Sequence, residues 1–264
     1  MALKCDILGL LIYLAMAGYL LAAAAGVMKL RRAGGVLFIV GFLAAASAWA
    51  VRWYATGQPP VGNLFEVFLS LGAFIWPLSL FCRRVLNAGN AALDAFLAAA
   101  VLFPAGFVFS TSGTAEPAPA LQSPLLVPHV YAYLLAYVIL FMAAGGAVAA
   151  LLTPPGDEVA ASSRELAVYR LVRLGLPLMT LGLVLGAWWG KLAWGRWWNW
   201  DPKEMWSLAT WLVFLGYLHF RRATWGRYRR VNASWVLAGV GGVIITLLWA
   251  NMGRLFSGLH SYAF

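Results

Sequence analysis

Long apolar stretches, separated by short polar connections, run along almost the whole chain. Most of them approach the roughly 20 consecutive apolar residues that an α-helix needs to cross a bilayer. Eight such stretches lie at about residues 7–28, 35–51, 64–81, 91–110, 129–152, 171–187, 202–220 and 235–252. The pattern predicts an all-α integral membrane protein, a polytopic bundle of about eight transmembrane helices that forms a single domain over residues 1–264.

Two of the polar connections carry more than turn residues. The connection 154–170 contains Asp157, Glu158, Arg164 and Glu165, and this charge density predicts an aqueous loop. The connection before the third apolar stretch contains Asn63 and Glu66 at the spacing of a capping box, which favours a helix start. An alternative interpretation gives that pair a part in shaping a ligand site on the outer face.

Composition agrees with a membrane protein and excludes an ordinary soluble domain, because 63% of the residues are hydrophobic and 11% are charged. The net charge of +10 does not indicate nucleic-acid binding, since the cations lie in short loops between apolar stretches rather than on one polar face. Cys5 and Cys82 have neither CxxC nor metal-ligand spacing, so both are expected to be packing residues.

The placement of the cations predicts the orientation of the chain. The loops after the first, third, fifth and seventh apolar stretches hold thirteen of the nineteen Lys and Arg residues, and the opposite side holds six. Cytoplasmic loops are enriched in these residues, so both termini are expected to be extracytoplasmic. His129, His260 and residues 188–206 then share the extracytoplasmic side, while His219 lies near the cytoplasmic end of the seventh helix.

Tryptophan is concentrated in residues 188–206, which hold seven of the fourteen tryptophans together with three cations and two carboxylates. Such charge is costly in hydrocarbon, so the stretch is expected at the membrane surface. Indoles anchor helices at that depth, but their density here favours a further role. Broad apolar ring faces with N–H donors at their edges suit a large planar aromatic ligand that carries acidic groups, such as a porphyrin.

The end of this stretch also predicts a helix start. Asp201 has the position of an N-cap, Pro202 that of the first helical residue, and Glu204 that of the third. The two carboxylates therefore have a structural interpretation as caps, which competes with direct ligand contact.

The chain has three histidines, His129, His219 and His260. Neutral imidazole is a good axial ligand for haem iron, and two imidazoles on opposite faces give a six-coordinate, low-spin centre. His129 and His260 lie on the same predicted side of the membrane, with the tryptophan-rich stretch between them in sequence. A lone interfacial histidine more often forms only hydrogen bonds, so the haem hypothesis depends on the pair.

The run from Trp194 to Glu204 reads Trp-Gly-Arg-Trp-Trp-Asn-Trp-Asp-Pro-Lys-Glu and is followed by Trp211, His219 and Arg221. It resembles the WWD signature of the cytochrome c assembly proteins. Its Asp-Pro-Lys-Glu ending is similar to the CcsA (ResC) branch of System II, and the CcmC branch usually departs from it after the aspartate. Weaker similarities lie at 63–66, at His129 and at 258–262. We refer to residues 188–206 as the WWD loop.

The resemblance implies haem handling and covalent haem attachment in cytochrome c biogenesis. Haem b would be held outside the membrane between His129 and His260 and against the WWD loop, with its vinyl groups presented to the cysteines of an apocytochrome CxxCH segment. The implied activity is that of a holocytochrome c synthase (haem lyase) acting with a CcsB/ResB-type membrane subunit. No catalytic acid, base or nucleophile is expected, because the thiols and vinyl groups make the bonds themselves.

The resemblance also implies a set of haem-binding residues. His219 matches an inner haem ligand, the second ligand of which lies on the partner subunit. The full expected set is His129, His219, His260, Trp194, Arg196, Trp197, Trp198, Trp200 and Asp201. Arg196, Lys191 or Lys203 is expected to pair with the haem propionates, and an ordinary interfacial charge is the alternative for each of them.

The expected location is the bacterial inner membrane, or the thylakoid membrane for a plastid protein. Two other functions stay open. One is a haem exporter or carrier of the CcmC type that loads a separate chaperone. The other is a membrane solute transporter without haem, in which the indoles only anchor helices.

Overall fold

The computed structural model describes residues 4–110, 122–154 and 156–249. In these residues every regular secondary-structure element is a helix, which confirms the predicted all-α class. The eight α-helices are α1 Ile7–Val27, α2 Arg31–Thr56, α3 Leu64–Val85, α4 Ala91–Phe107, α5 Leu126–Leu151, α6 Glu158–Trp194, α7 Pro202–Ala223 and α8 Arg229–Ile244. A π-helical turn, Ile245–Trp249, continues α8.

Six of these helices, namely α1, α2, α3, α5, α6 and α8 with part of its π-helical turn, are long and apolar enough to cross a membrane. Helix α4 is apolar but shorter, and α7 carries charged residues in its first and last turns. This set of helices is that of a multi-pass membrane protein. Eight crossings and extracytoplasmic termini stay predictions.

The helices fall into two compact units. The first comprises Met1–Arg83 with Gly89–Glu116, and the second comprises Arg84–Ala88 with Pro117–Phe264. Helices α1, α2 and α4 and nearly all of α3 belong to the first unit, and α5 to α8 belong to the second. The interpretation of the chain as one transmembrane domain stays a prediction.

Small residues bring the helices of the first unit close together. A Cβ atom added to Gly18 of α1 would lie 2.9 Å from the Cα atom of Gly41 in α2, so the two backbones are nearly in contact there. The next residue, Tyr19, is buried and donates to the carbonyl oxygen of Gly72 in α3 at 3.0 Å.

The segment that leads into α3 is held by polar contacts. Asn63 Oδ1 accepts from Glu66 N at 2.9 Å, and Glu66 Oε2 accepts from Gly62 N at 2.7 Å. The Glu66 carboxylate also pairs with Arg52 of α2 at 2.8 Å, and both side chains are buried. The predicted helix start is therefore confirmed, in a variant of the capping box in which the glutamate reaches back to Gly62 and ties α3 to α2.

In the second unit, α5 and α6 run antiparallel with small residues at their contact. Glycines of α6 face larger side chains of α5 in the pairs Gly175 with Leu140, Gly182 with Tyr133, and Gly186 with His129. At the other end of α6, Glu165 accepts two hydrogen bonds from Arg221 of α7, each 3.0 Å long, and a third of 3.1 Å from Asn232 of α8. One carboxylate thus joins three helices at the end of the unit opposite His129.

The expectation of an aqueous loop over 154–170 is wrong for most of that range. Helix α6 begins at Glu158 and continues to Trp194, about 55 Å at 1.5 Å per residue. Asp157 caps it by accepting from Ala160 N at 3.1 Å. The charges that suggested a loop lie in its first two turns, where Arg229 pairs with Glu158, so they mark a polar helix end.

Candidate functional site

The WWD loop is part helix and part loop. Helix α6 includes its first residues and ends at Trp194, and Gly195 follows as the C-cap with a positive φ of 77°. The Lys191 ammonium donates to the carbonyl oxygen of Gly195 at 2.9 Å, as a cation does at a helix C-terminus. Of residues 188–206, only 195–201 form a loop, the α6–α7 loop, and its position at the membrane surface stays a prediction.

His129 lies in the first turn of α5 and faces α6. Its Nδ1 atom is 2.8 Å from the carbonyl oxygen of Gly182. Because a carbonyl oxygen only accepts, Nδ1 carries the proton, and the neutral ring has its lone pair on Nε2. This is the tautomer that an imidazole needs to bind a metal through Nε2.

A glycine makes room for the imidazole. A Cβ atom on Gly186 would lie 2.5 Å from His129 Cε1 and 2.8 Å from its Nδ1, distances that real Cβ atoms do not reach. The two glycines of α6, one turn apart, therefore supply the hydrogen-bond acceptor and the space that fix this ring.

Aromatic rings surround His129 and extend toward the α6–α7 loop. The His129 ring lies 5.6 Å from Trp189 and 5.2 Å from Tyr133, and Trp189 lies 4.9 Å from Trp194. Trp189 is buried, with 2% of its surface exposed. The Tyr133 side chain also lies close to that of Ser207 in α7. The surroundings of His129 therefore include both helices that flank the loop.

The loop itself presents indole rings to the outside. Trp197 is 57% exposed and Trp200 is 67% exposed, and Trp198 lies 6.0 Å from Trp200 at nearly a right angle. Trp200 adopts a positive φ of 57°, which non-glycine residues rarely do. The backbone conformation directly before α7 thus keeps a large apolar ring at the surface.

Two hydrogen-bond donors of this loop are buried without an acceptor in the described part of the chain. They are Trp198 Nε1 and Asn199 Nδ2, each with less than 1 Å² exposed. A buried unsatisfied donor costs about 1–3 kcal/mol. The loop therefore has donors suited to a ligand that brings oxygen acceptors.

Both acidic side chains of the WWD loop form hydrogen bonds at the start of α7. Asp201 Oδ1 accepts from Lys203 N at 2.9 Å, while Glu204 Oε2 accepts from Asn199 N at 2.8 Å and from Asp201 N at 3.2 Å. The predicted capping box is confirmed. Asp201 is buried and fixes the direction in which the loop enters the helix.

His219 lies in the last turns of α7, at the end of the unit opposite His129. Its Nδ1 atom is 2.9 Å from the carbonyl oxygen of Leu215, so in the neutral ring this histidine also has its lone pair on Nε2. The side chain is exposed on the outside of the unit, where lipid or another subunit would meet it.

The sequence model of the cytochrome c assembly protein family matches residues 61–256 of this chain. The chain belongs to that family. It is 32% identical to the cytochrome c biogenesis protein CcsA of Chlamydomonas reinhardtii over 229 residues, which cover 81% of this chain and 64% of that relative. A CcsA of Synechococcus sp. (strain RCC307) is 31% identical over 80% of this chain and 78% of its own length. The CcsA of Pyropia yezoensis is 27% identical over 90% and 89%.

These relatives confirm the similarity to the CcsA branch that the Asp-Pro-Lys-Glu ending predicted. In this cytochrome c assembly protein, the described residues bring only part of the predicted site together. Trp194 is joined to His129 through Trp189, whereas His219 lies at the far end of α7. His260 lies outside the described residues, so its pairing with His129 stays a prediction.

The predicted cations differ in their surroundings. Lys191 caps α6, Arg196 is exposed, and Lys203 is half-buried in the first turn of α7. Pairing of any of them with haem propionates stays a prediction, as does contact of Trp194, Trp197, Trp198, Trp200 and Asp201 with haem.

Sequence reasoning did not single out four residues that shape this site of the cytochrome c assembly protein. They are Trp189, which packs on His129; Gly182 and Gly186, which hold its ring; and Asn199, which has a buried donor. The spacing of the two glycines, one helical turn apart, is a sequence signal of close approach to another helix. No comparable signal in the sequence tells Asn199 from an ordinary loop residue.

Proposed function

We propose that this chain takes part in cytochrome c biogenesis by holding haem on the extracytoplasmic face for covalent attachment to apocytochrome c. The observation that carries the proposal is the environment of His129. Its Nδ1 proton is bound by the Gly182 carbonyl, its Nε2 has the lone pair of a metal ligand, and its ring contacts Trp189. Family membership supports the proposal, because the relatives bear the name cytochrome c biogenesis protein CcsA.

The residues of the site fit haem b as the substrate. Imidazole nitrogen binds haem iron, indole faces pack on the macrocycle, and buried N–H groups suit its carboxylates. His129 and His260 are the proposed axial ligands, and Trp194, Trp197, Trp198 and Trp200 the proposed aromatic contacts. The exposed indoles of the α6–α7 loop, Trp197 and Trp200, leave a surface that an apocytochrome segment can approach.

The bonds are made by the substrates. Each cysteine thiol of the CxxCH segment adds across one haem vinyl group, so that a C–S and a C–H bond replace the S–H bond and the vinyl π bond. The chain binds the iron, positions the vinyl carbons and excludes water from the ring. Thioether formation is expected to need ferrous haem, and the axial histidines tune that iron's potential. In this sense the chain acts as a holocytochrome c synthase.

We further infer that His219 takes part in an inner haem site shared with a CcsB/ResB-type subunit. Its Nε2 lone pair and its position on the exposed surface of α7 support a ligand that is completed from another chain. In the described residues no group of three or more His, Cys, Asp or Glu side chains could hold a metal ion. For an inner haem, His219 would therefore need a second iron ligand from another chain.

The first test is the reduced visible spectrum of the chain purified in detergent with its CcsB-type partner from haem-replete cells. We expect a low-spin b-type spectrum, and its outer-site component should be lost or become high-spin in His129→Ala and in His260→Ala. His219→Ala serves as the matched control for the outer site, because it lies at the other end of α7 and should leave that low-spin signal in place.

A colourless preparation that cannot bind added haem would overturn the proposal and favour a transporter without haem. Covalent attachment is tested by supplying an apocytochrome with a CxxCH segment and staining denatured protein for bound haem. Haem that is bound but never joined to the cysteines would instead indicate a carrier of the CcmC type.

A further inference from the structure

The short turn between α7 and α8 lies in the largest cluster of cations in the sequence. Residues 221–230 contain five arginines and no acidic residue. Glutamates of α6 pair with two of them, Arg221 and Arg229. The remaining three are exposed, and none has an acidic partner in the described part of the chain; they are Arg222, Arg227 and Arg230. Three positive charges at this turn are therefore left for a group from outside the chain.

Aromatic side chains are interleaved with these three arginines. Trp225 is 91% exposed and Tyr228 is 51% exposed, and together with Arg227 they line an open groove at the end of α7. Trp and Tyr favour the boundary between lipid headgroups and hydrocarbon, where the ring is partly buried and its polar edge stays hydrated. We refer to Arg222, Trp225, Arg227, Tyr228 and Arg230 as the basic turn, which combines cations with interfacial rings.

The backbone of the basic turn is held in place by the ion pair beneath it. Trp225 and Gly226 both adopt positive φ angles, of 54° and 75°, and such a conformation is uncommon for a residue other than glycine. A Cβ atom on Gly226 would lie 3.3 Å from Arg221 Nη2 and 3.3 Å from Glu165 Oε2, so the turn packs directly on that pair. The fold thus holds Trp225 at the surface in an unfavourable backbone conformation, although so exposed an indole contributes little to packing.

The charge and the position of the basic turn indicate an anionic phospholipid. The turn begins directly after α7, which ends at Ala223. Anionic lipids of the cytoplasmic leaflet attract basic segments next to a membrane helix. Guanidinium groups form two parallel hydrogen bonds with phosphate oxygens, and the glycerol and upper acyl chains offer the indole an apolar surface. A soluble anion would pair with the arginines but would give Trp225 nothing to contact.

On the premise that this end of α7 lies at the cytoplasmic surface, as the distribution of Lys and Arg predicts, we propose that the basic turn binds the headgroup of an anionic phospholipid. Its three arginines contact the phosphate, and Trp225 lies beside the glycerol and the upper acyl chains. Because the turn packs on the ion pair between α6 and α7, the bound lipid also stabilises the ends of these two helices. This site does not depend on haem binding.

The proposal is tested by native mass spectrometry of the delipidated chain with its CcsB-type partner. The complex is titrated with phosphatidylglycerol and with phosphatidylcholine of the same acyl chains, which differ in net charge. We expect phosphatidylglycerol to bind at least about tenfold more tightly, since each basic residue near an anionic surface contributes about fivefold. Glycerol phosphate at the same concentration should not compete, because it has no acyl chains.

A triple variant removes the charge of the basic turn. Combining Arg222→Gln, Arg227→Gln and Arg230→Gln should abolish most of the preference for phosphatidylglycerol. The matched control changes three other exposed cations on the same predicted side to Gln, in a segment, 27–36, that has no aromatic residue; they are Lys29, Arg31 and Arg32. This control should keep the parent's preference. Both proteins should unfold at the parent's temperature in phosphatidylcholine, which checks that they are folded.

A second variant tests the indole. Trp225→Ala should weaken binding of phosphatidylglycerol severalfold, because the acyl chains lose their apolar contact. Tyr54→Ala is its control, since Tyr54 of α2 is 93% exposed and lies outside the basic turn. It should bind phosphatidylglycerol as the parent does.

Four results would overturn the proposal. Equal affinity of the parent for the two lipids, or an equal loss in the triple variant and its control, would leave only diffuse attraction between charges. Displacement of the lipid by glycerol phosphate would assign the turn to a soluble anion. Release of the partner subunit from the triple variant, with an unchanged lipid preference, would assign it to a protein contact. None of these results bears on His129, so this proposal and the proposed function fail separately.

Discussion

The two described histidines show the same local arrangement at opposite ends of the second unit. In each, Nδ1 faces a backbone carbonyl, that of Gly182 for His129 and that of Leu215 for His219. The acceptor fixes the tautomer and leaves the lone pair on Nε2, as for metal-binding histidines, which usually donate their second nitrogen to a carbonyl or carboxylate. The acceptor for His129 comes from another helix, so its orientation depends on how α5 and α6 pack.

That dependence gives a prediction at residue scale for Gly186. In Gly186→Ala the new methyl group would lie 2.5 Å from His129 Cε1, so the imidazole must move and its Nε2 loses its position. We expect the low-spin haem spectrum of the purified protein to be lost, or haem affinity to fall at least about tenfold, which is about 1.4 kcal/mol.

Gly145→Ala is the matched control for this change, because nothing lies within 4 Å of a Cβ at that position of α5. It should keep the parent spectrum and haem content. A Gly186→Ala protein with the parent's spectrum would show that the ring is not held by α6 in the haem-bound state.

At the scale of elements, polar side chains near the ends of several helices join them to particular neighbours. Arg52 and Glu66 join α2 to the start of α3 in the first unit. Glu165 joins α6, α7 and α8 in the second. Helix α7 is therefore held at both ends, by its capping box and by the ion pair of Arg221 with Glu165. These polar contacts are directional, whereas apolar contacts with lipid are not.

The cap of α7 gives a prediction that separates a structural role of Asp201 from ligand contact. Asp201→Ala removes the acceptor for Lys203 N and should lower the free energy of unfolding by about 1 kcal/mol. Asp201→Asn should remain close to the parent, because asparagine caps a helix as well as aspartate does. The measurement is the thermal unfolding midpoint together with the bound haem per chain.

Asn90→Ala provides the control, since Asn90 Oδ1 caps α4 by accepting from Ala92 N and Leu93 N. It should lower stability to a similar extent without a specific loss of haem. An Asp201→Asn protein with parent stability but little haem would assign the carboxylate to the ligand.

At the scale of the whole molecule, the proposed function requires that the proposed site face the compartment in which the apocytochrome is matured. The charge distribution predicts that the α6–α7 loop lies outside and that the five arginines between 221 and 230 lie inside. This arrangement requires that α7 cross the membrane. Its 22 residues extend about 33 Å, enough for a crossing, although charged residues occupy both of its ends.

We expect Trp197→Cys to react with a membrane-impermeant thiol reagent added to intact cells or spheroplasts. Trp225→Cys should react only after the membrane is opened, because Trp225, 91% exposed, lies in the loop after α7. A Cys5→Ser background removes the exposed native thiol, and Cys82 is buried. Labelling of both positions from the same side would contradict a crossing α7 and the placement of the termini.

The sequence by itself determined the helical class, the approximate position of each apolar helix and the family. These properties depend on local composition, since about 20 apolar residues in a row must be helical in a bilayer, and on the short signature from Trp194 to Glu204. Helix starts at Asn63 and Asp201 were also predictable, because a capping side chain and the backbone N–H group that donates to it lie within four residues.

Only the tertiary structure decided the surroundings of His129, which depend on a carbonyl 53 residues away and on the close approach of two helices. It also showed that Glu158 and Glu165 belong to a helix rather than a loop. Their charges are paired with Arg229 and Arg221, and these partners are too distant in sequence for a local pattern to reveal. Hydropathy averages over neighbours in sequence, whereas a buried charge or an oriented imidazole is stable only through neighbours in space. That is the physical reason why the sequence located this site and the fold determined its geometry.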